Sequence, residues 1–185
     1  KYKKIIFCIL LFCCLFSTYK YHLRYNEGRK FHELKNANFN LSIDAKKIDK
    51  KLSGLKWITP QYIDSPKTEI NFINDTALIL KQDKNKKMLI TNYPFFSTIL
   101  GYSIFSPSRV YTGDGTTHPL KNNKYFKVYK KLMKNIVSKN NIKVIYVINT
   151  KNDNINFHYV DIYKHCYKET ILSQRLRKFD LNQCF

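Results

Sequence analysis

The loop Ser106 to Pro119, SPSRVYTGDGTTHP, gathers Arg109, Tyr111, Asp114 and His118 into one short stretch. A guanidinium can grip a phosphate or carboxylate through two parallel N–H bonds, so Arg109 is the natural anion partner there. Asp114 could accept hydrogen bonds from sugar hydroxyls or form an acid/base couple with His118, and Gly113 and Gly115 would let the backbone approach a ligand. The group expected to bind is therefore anionic or polyhydroxylic, such as a lipid phosphate or a sugar, with no catalytic role assigned to any residue. The same residues also make an ordinary structural loop, because Asp-Gly is a routine turn pair and a loop arginine commonly bonds carbonyls. His118, His158 and His165 lack metal-ligand spacing, so no metal is expected. Gly113-Asp114-Gly115 has neither the strand-to-helix context of a dinucleotide turn nor a phosphate-loop lysine, and no cofactor is expected either. Ser97 and Ser103 lack the setting of a hydrolase nucleophile.

Cys166 and Cys184 are a second pair of chemical interest, since the other cysteines, Cys8, Cys13 and Cys14, lie in an apolar N-terminal run. A bridge between them would close a loop worth about 3 kcal/mol in the chain-entropy picture and would imply an oxidising compartment such as the periplasm. Two free thiols, with Cys166 in the core, are the alternative.

The elements needed to hold the long loop can be read from local pattern. Gly54 to Thr59 alternates like a strand and ends at Pro60. Ser65-Pro66 opens a helix to about Gln82, with Glu69 in its first turn favouring the dipole and Ile70, Ile73, Ala77 and Leu80 on one face. A turn from Asp83 to Lys86, a buried strand from Lys87 to Asn92, and a short helix from Pro94 to Leu100, stopped by Gly101, follow. Beyond the loop, Asn123 to Asn140 presents a wide apolar face and Ile142 to Ile148 reads as an interior strand. A helix at Phe157 to His165 and a strand at Tyr167 to Leu172 complete the tail. The alternation predicts an α/β fold, a small three-layer domain with a short, mostly parallel sheet whose strand ends carry the loop.

Ahead of the domain, Lys1 to Arg24 contains no acidic residue, and Ile5 to Phe16 is unbroken apolar sequence flanked by Lys3, Lys4, Lys20, Tyr2, Tyr19 and Tyr21. That pattern suits a short transmembrane helix with snorkelling lysines and interfacial tyrosines; a cleaved signal sequence shares its basic start and apolar core. The chain does not open on Met and is read as a fragment of a longer membrane protein. The expected organisation is a transmembrane helix over 1–24, a juxtamembrane connector over 25–53 and an extracytoplasmic domain over 54–185. The formal net charge is +20, yet lysine is spread over every segment, which argues against a nucleic-acid partner and for attraction to an anionic bilayer.

The blocks RYNEGRKFHEL (Arg24 to Leu34), GLKWITP (Gly54 to Pro60), ITNYPFFSTIL (Ile90 to Leu100) and SPSRVYTGDGTTHPL (Ser106 to Leu120) resemble the last transmembrane helix and extracytoplasmic C-terminal domain of polytopic bacterial lipid-linked-sugar glycosyltransferases. These are related to the dolichyl-phosphate-mannose-protein mannosyltransferase group. The resemblance implies a bacterial inner-membrane protein with its soluble part in the periplasm, acting as a cap beside a lipid-linked sugar. It carries over no catalytic residue, because the family's catalytic carboxylate belongs to an early extracytoplasmic loop between helices not represented in this chain. A membrane-anchored binding or assembly domain without enzymatic activity is the alternative.

Overall fold

The computed structural model describes residues 2–27, 38–59, 65–91, 93, 95–108, 117–149, 160 and 163–185. Helix α1 (Tyr2–Tyr21) opens the chain and passes into a π-type turn, His22–Glu27. Its 20 residues give about 30 Å of helix, the thickness of a bilayer's hydrocarbon core. None of them is buried, and an 18-residue window of the helical stretch Tyr2–Tyr25 has a mean hydropathy of 1.6. The helix is thus long and apolar enough to be a membrane anchor or a signal sequence. The Thr18 hydroxyl donates to the Cys14 carbonyl at 2.8 Å, so this polar group is satisfied within the helix.

Strands β1 (Ile43–Asp44) and β2 (Lys56–Trp57) pair antiparallel, Ile43 opposite Trp57. Between them lie two 3-10 turns, Ala45–Lys47 and Lys50–Leu52, each started by an aspartate, Asp44 or Asp49, accepting the N–H two residues on. Ala45 is buried, Ile48 packs on the domain core, and the Asn74 amide of helix α2 (Pro66–Gln82) donates to the Lys47 carbonyl at 3.1 Å. The expected strand at Gly54 to Thr59 therefore shrinks to β2 and joins this small ribbon instead of the main sheet.

The main sheet is built from β3 (Lys87–Thr91), β4 (Val144–Ile148), β5 (Lys168–Ile171) and β6 (Leu176–Asp180) in the order β3-β4-β6-β5. Only β3 and β4 run parallel; β4–β6 and β6–β5 are antiparallel, so the sheet is mixed and the expectation of a mostly parallel sheet is corrected. The cause is local. Strands β5 and β6 are joined by a tight turn in which Ser173 Oγ accepts the N–H groups of Arg175 and Leu176, and a turn that short can only link antiparallel neighbours. The parallel pair is bridged by α3 (Phe96–Leu100), the long loop and α4 (Phe126–Lys139). Phe105 adds a parallel bridge to Met88 on the outer edge of β3.

Alternation along the strands sorts the core into two clusters. Met88, Ile90, Ile145, Val147 and Phe179 meet Met133 and Val137 of α4. Leu89, Val144, Tyr146, Ile148 and Leu176 meet Ile73 and Leu80 of α2 and Phe96 of α3. Local signals explain the helix ends: Ser65 Oγ accepts the Thr68 N–H, Gly101 takes a left-handed φ of 74° to close α3, and Asn141 (φ 51°) does the same beyond α4. Cys166 is disulfide-bonded to Cys184 of the last 3-10 turn, Asn182–Cys184, with Cα atoms 5.1 Å apart, which ties the chain end to the turn before β5. The helix expected at Phe157 to His165 falls largely outside the described residues.

Candidate functional site

Three places in the domain hold polar chemistry. The first is the loop singled out from sequence. Arg109 and Asp114 lie outside the described residues, as does His158. Of the ligand-binding set only His118 is described; it is buried, with Nδ1 3.3 Å from the Thr117 hydroxyl. The start of the loop is held to α4 by the Tyr129 hydroxyl, which donates to the Pro107 carbonyl at 2.7 Å. Both described ends of the loop therefore pack into the body of the domain, at Pro107 and at His118. Among the described residues no group of three or more His, Cys, Asp or Glu could hold a metal ion.

The second place is the sheet end where β3 and β4 finish and the antiparallel β6 begins. Geometry forces Tyr93, Asn149 and Arg175 together there, since Ile148 stands opposite Leu176 and the Asn149 N–H donates to the Arg175 carbonyl. The first turn of α2 adds Glu69, which is completely buried. Arg175 grips Glu69 with both arms, Nη1 to Oε2 at 2.7 Å and Nη2 to Oε1 at 3.1 Å, and its Nε donates to the Asn149 carbonyl at 3.0 Å. The Tyr93 hydroxyl donates to Glu69 Oε1 and accepts from Arg175 Nη2. The guanidinium also lies over the Phe72 ring, 4.1 Å from its centre. Burial works against the charged guanidinium, but its hydrogen bonds to Glu69 and Tyr93 and its electrostatic attraction to both outweigh it and raise the Arg175 pKa. With both carboxylate oxygens engaged and no solvent exposure, Glu69 is unsuited to act as a base; the cluster is a buried brace across α2, the sheet and the segment after β3. A small cavity of about 50 Å³ lies beside it, bounded by Thr91, Tyr93, Ser97 and Ser106 among others, with room for little beyond water.

The local sequence pattern gives Glu69 a helix-dipole role and Arg175 none. A signal was nonetheless present. In a chain whose cations are overwhelmingly lysine, each of the few arginines is a candidate for planar, bidentate pairing.

The third place is the opposite sheet end, where α2 hands over to β3. Asp83 Oδ2 accepts the Tyr146 hydroxyl at 2.7 Å and the Lys178 ammonium at 3.0 Å, while Oδ1 accepts the backbone and side-chain N–H groups of Asn85, both at 2.9 Å. Burial is the largest single influence and pushes the Asp83 pKa up, but the hydrogen bonds from Tyr146, Asn85 and Lys178 and the charge of Lys178 together hold it down at about 2. For Tyr146 burial and the Asp83 carboxylate act in the same direction and drive the phenol far above its usual range. Lys87 is buried, donates to the Asp83 carbonyl at 2.7 Å and stands over the Tyr102 ring at 5.6 Å. Its pKa is lowered by burial first, with Asp83 opposing and Lys84 and Lys178 adding to the drop. Beside this group opens a cleft of about 310 Å³ whose rim carries Lys81, Lys84 and Lys86. The run Lys84 to Lys87, an ordinary solvated turn when read from sequence, thus has its last member folded inward.

No protein-family model matches the chain, and no curated protein and no solved structure matches it.

Proposed function

We propose that this chain is the membrane-anchored, extracytoplasmic cap domain of a lipid-linked-sugar glycosyltransferase of the bacterial inner membrane, with the catalytic carboxylate carried by another part of the protein. The observation that carries the first half of the reading is the pairing of an entirely exposed apolar helix with a disulfide-closed domain. An unburied helix of this length finds its apolar surroundings in a bilayer, and a disulfide persists in compartments such as the periplasm. The sugar-transfer half rests on the resemblance of the four sequence blocks. On this reading the domain contributes recognition, through the loop that holds Arg109, Asp114 and His118, and no reacting group.

The test is sugar transfer by membranes carrying the chain in its natural reading frame, supplied with a radiolabelled polyprenyl-phosphate-linked sugar. Deleting residues 38–185 should abolish or sharply reduce transfer, and Arg109→Ala should lower it while leaving the amount of folded protein unchanged. If membranes transfer no sugar from any such donor, the transferase reading fails and the anchored binding or assembly domain takes its place. An impermeant thiol reagent added to intact spheroplasts after reduction should reach Cys166 and Cys184 if the domain is periplasmic; no labelling would overturn that placement.

A further inference from the structure

We infer that the cleft at the α2–β3 junction is a binding site for a phosphate-bearing anion, gripped by Lys84, Lys86 and Lys81 over the buried Lys87. The inference stands on the geometry of the cleft and is independent of the transferase reading.

Charge balance is the core of the case. Asp83 is the one carboxylate among the described residues bounding the cleft, and its oxygens are already taken by Tyr146, Lys178 and Asn85. The compensating cation for it, Lys178, approaches from β6 and is not among the residues bounding the cleft. Three lysines, Lys81, Lys84 and Lys86, therefore face a common space without an anion of their own, beside Lys87, whose ammonium is held at the Asp83 carbonyl. Lys87 is only 8% exposed, so the site has a floor fixed by packing against the Tyr102 ring as well as a flexible rim. A protein of ordinary design turns such a lysine run outward; here the strand pattern of β3 buries one member and draws the others around it.

The ligand chemistry follows from the walls. Ser103 supplies a hydroxyl, the ammonium groups supply mobile donors without the planar fork of arginine, and Tyr102 and Phe105 form one apolar side. Ammonium groups act as point charges that suit a tetrahedral, multiply charged oxyanion better than a planar carboxylate. The volume, about 310 Å³, sits at the small end of ligand pockets and suits a phosphate or diphosphate group in preference to a whole nucleotide or lipid. The phosphate could belong to a small soluble anion or to a lipid headgroup.

The experiment uses the full chain in phosphatidylcholine nanodiscs, titrated with sodium pyrophosphate by calorimetry at constant ionic strength. Saturable binding is expected. Lys84→Ala with Lys86→Ala should weaken it by about tenfold or more, since each lost ammonium removes a charge-assisted hydrogen bond. Lys127→Ala with Lys134→Ala on α4 removes the same charge from the other side of the sheet and should change it by no more than about twofold, the residue of screened long-range attraction. All four lysines are exposed, so the two variants should melt like the parent chain. Repeating the titration in discs that also contain phosphatidylglycerol separates the sources: an unchanged pyrophosphate affinity assigns the cleft to a soluble anion, and a fall of about tenfold, absent in the Lys84/Lys86 variant, assigns it to a lipid headgroup. No saturable binding in phosphatidylcholine discs, or equal weakening by both lysine pairs, overturns the inference.

Discussion

Glu69 shows how little a side chain's type reveals of its energetic role. As an acid in the first turn of α2 it would contribute a few tenths of a kcal/mol to about 1 kcal/mol through the helix dipole alone. Buried and gripped by Arg175 and Tyr93, it becomes a residue whose removal strands a guanidinium in the core. Breaking a buried pair by deleting one partner costs about 3–5 kcal/mol, while replacing both with apolar groups of similar volume can be nearly neutral. Glu69→Gln and Arg175→Met should therefore each lower the denaturation free energy strongly, and Glu69→Leu with Arg175→Met should recover much of the loss; additive losses in urea titrations would contradict a coupled pair. Asp83 makes a pH-dependent contribution instead. Its folded pKa, about 2, lies below the ordinary carboxylate value of 3.8, so it stabilises the fold fully above that ordinary value and loses its effect as pH falls toward 2. Asp83→Asn should flatten the acid limb of stability between those values and cost about 1–3 kcal/mol near neutrality, because Lys178 and Tyr146 lose their charged acceptor. Thermal melts of both proteins across that range check the sign. These pairings were beyond sequence reasoning because they link positions far apart in the chain, Glu69 with Arg175 and Asp83 with Lys178, and no local pattern encodes them.

Elements whose signals are local were legible, and those defined by pairing were not. Ser65-Pro66, Gly101 and the apolar face of Phe126 to Val137 each specify a helix or its end within a few residues, and α2, α3 and α4 lie where those signals put them. The run Val144 to Ile148 reads as interior strand because it is apolar on both faces, which it uses against α2 on one side and α4 on the other. Strand β6 carries no such local signal. Its sequence, LRKFD, is mostly charged, and it becomes a central strand because Leu176 and Phe179 reach opposite core clusters while Lys178 and Arg177 turn to ion pairs. Strand β2 is shorter than the pattern of Gly54 to Thr59 predicts for the converse reason, since strand-forming residues do not choose their partner. The disulfide acts at this scale, joining the turn before β5 to the residues after β6 across a separation of 18 residues. Replacing Cys166 and Cys184 together with serine should cost about 3 kcal/mol, and reductant should shift the parent melt toward that of the variant. A melt insensitive to reductant would show that the bridge adds nothing to the fold.

For the whole molecule the telling boundary lies between the exposed apolar helix and the packed domain. No residue of α1 is buried, whereas packing begins by residue 45, where Ala45 is 2% exposed, Ile48 rests on the α2-side core and Asn74 holds the Lys47 carbonyl. The independently folding unit should therefore start near Asn38, whose side chain accepts the Asn40 N–H, and not at Gly54, where the alternating strand pattern puts the start of the soluble domain. Residues 38–185 should be recovered without detergent and melt in one cooperative transition, while the full chain should stay with membranes through an alkaline carbonate wash. Starting at Gly54 removes β1, Ala45, Ile48 and the Asn74 contact, and leaves Trp57 without its paired strand. Losing that apolar burial and those hydrogen bonds should cost about 2 kcal/mol or more, a fall of roughly 4–8 °C in the melting midpoint for a domain of this size. Equal midpoints for the two truncations would make the β1–β2 ribbon an appendage. A full chain released by carbonate would remove the helix from the bilayer and the anchored reading with it.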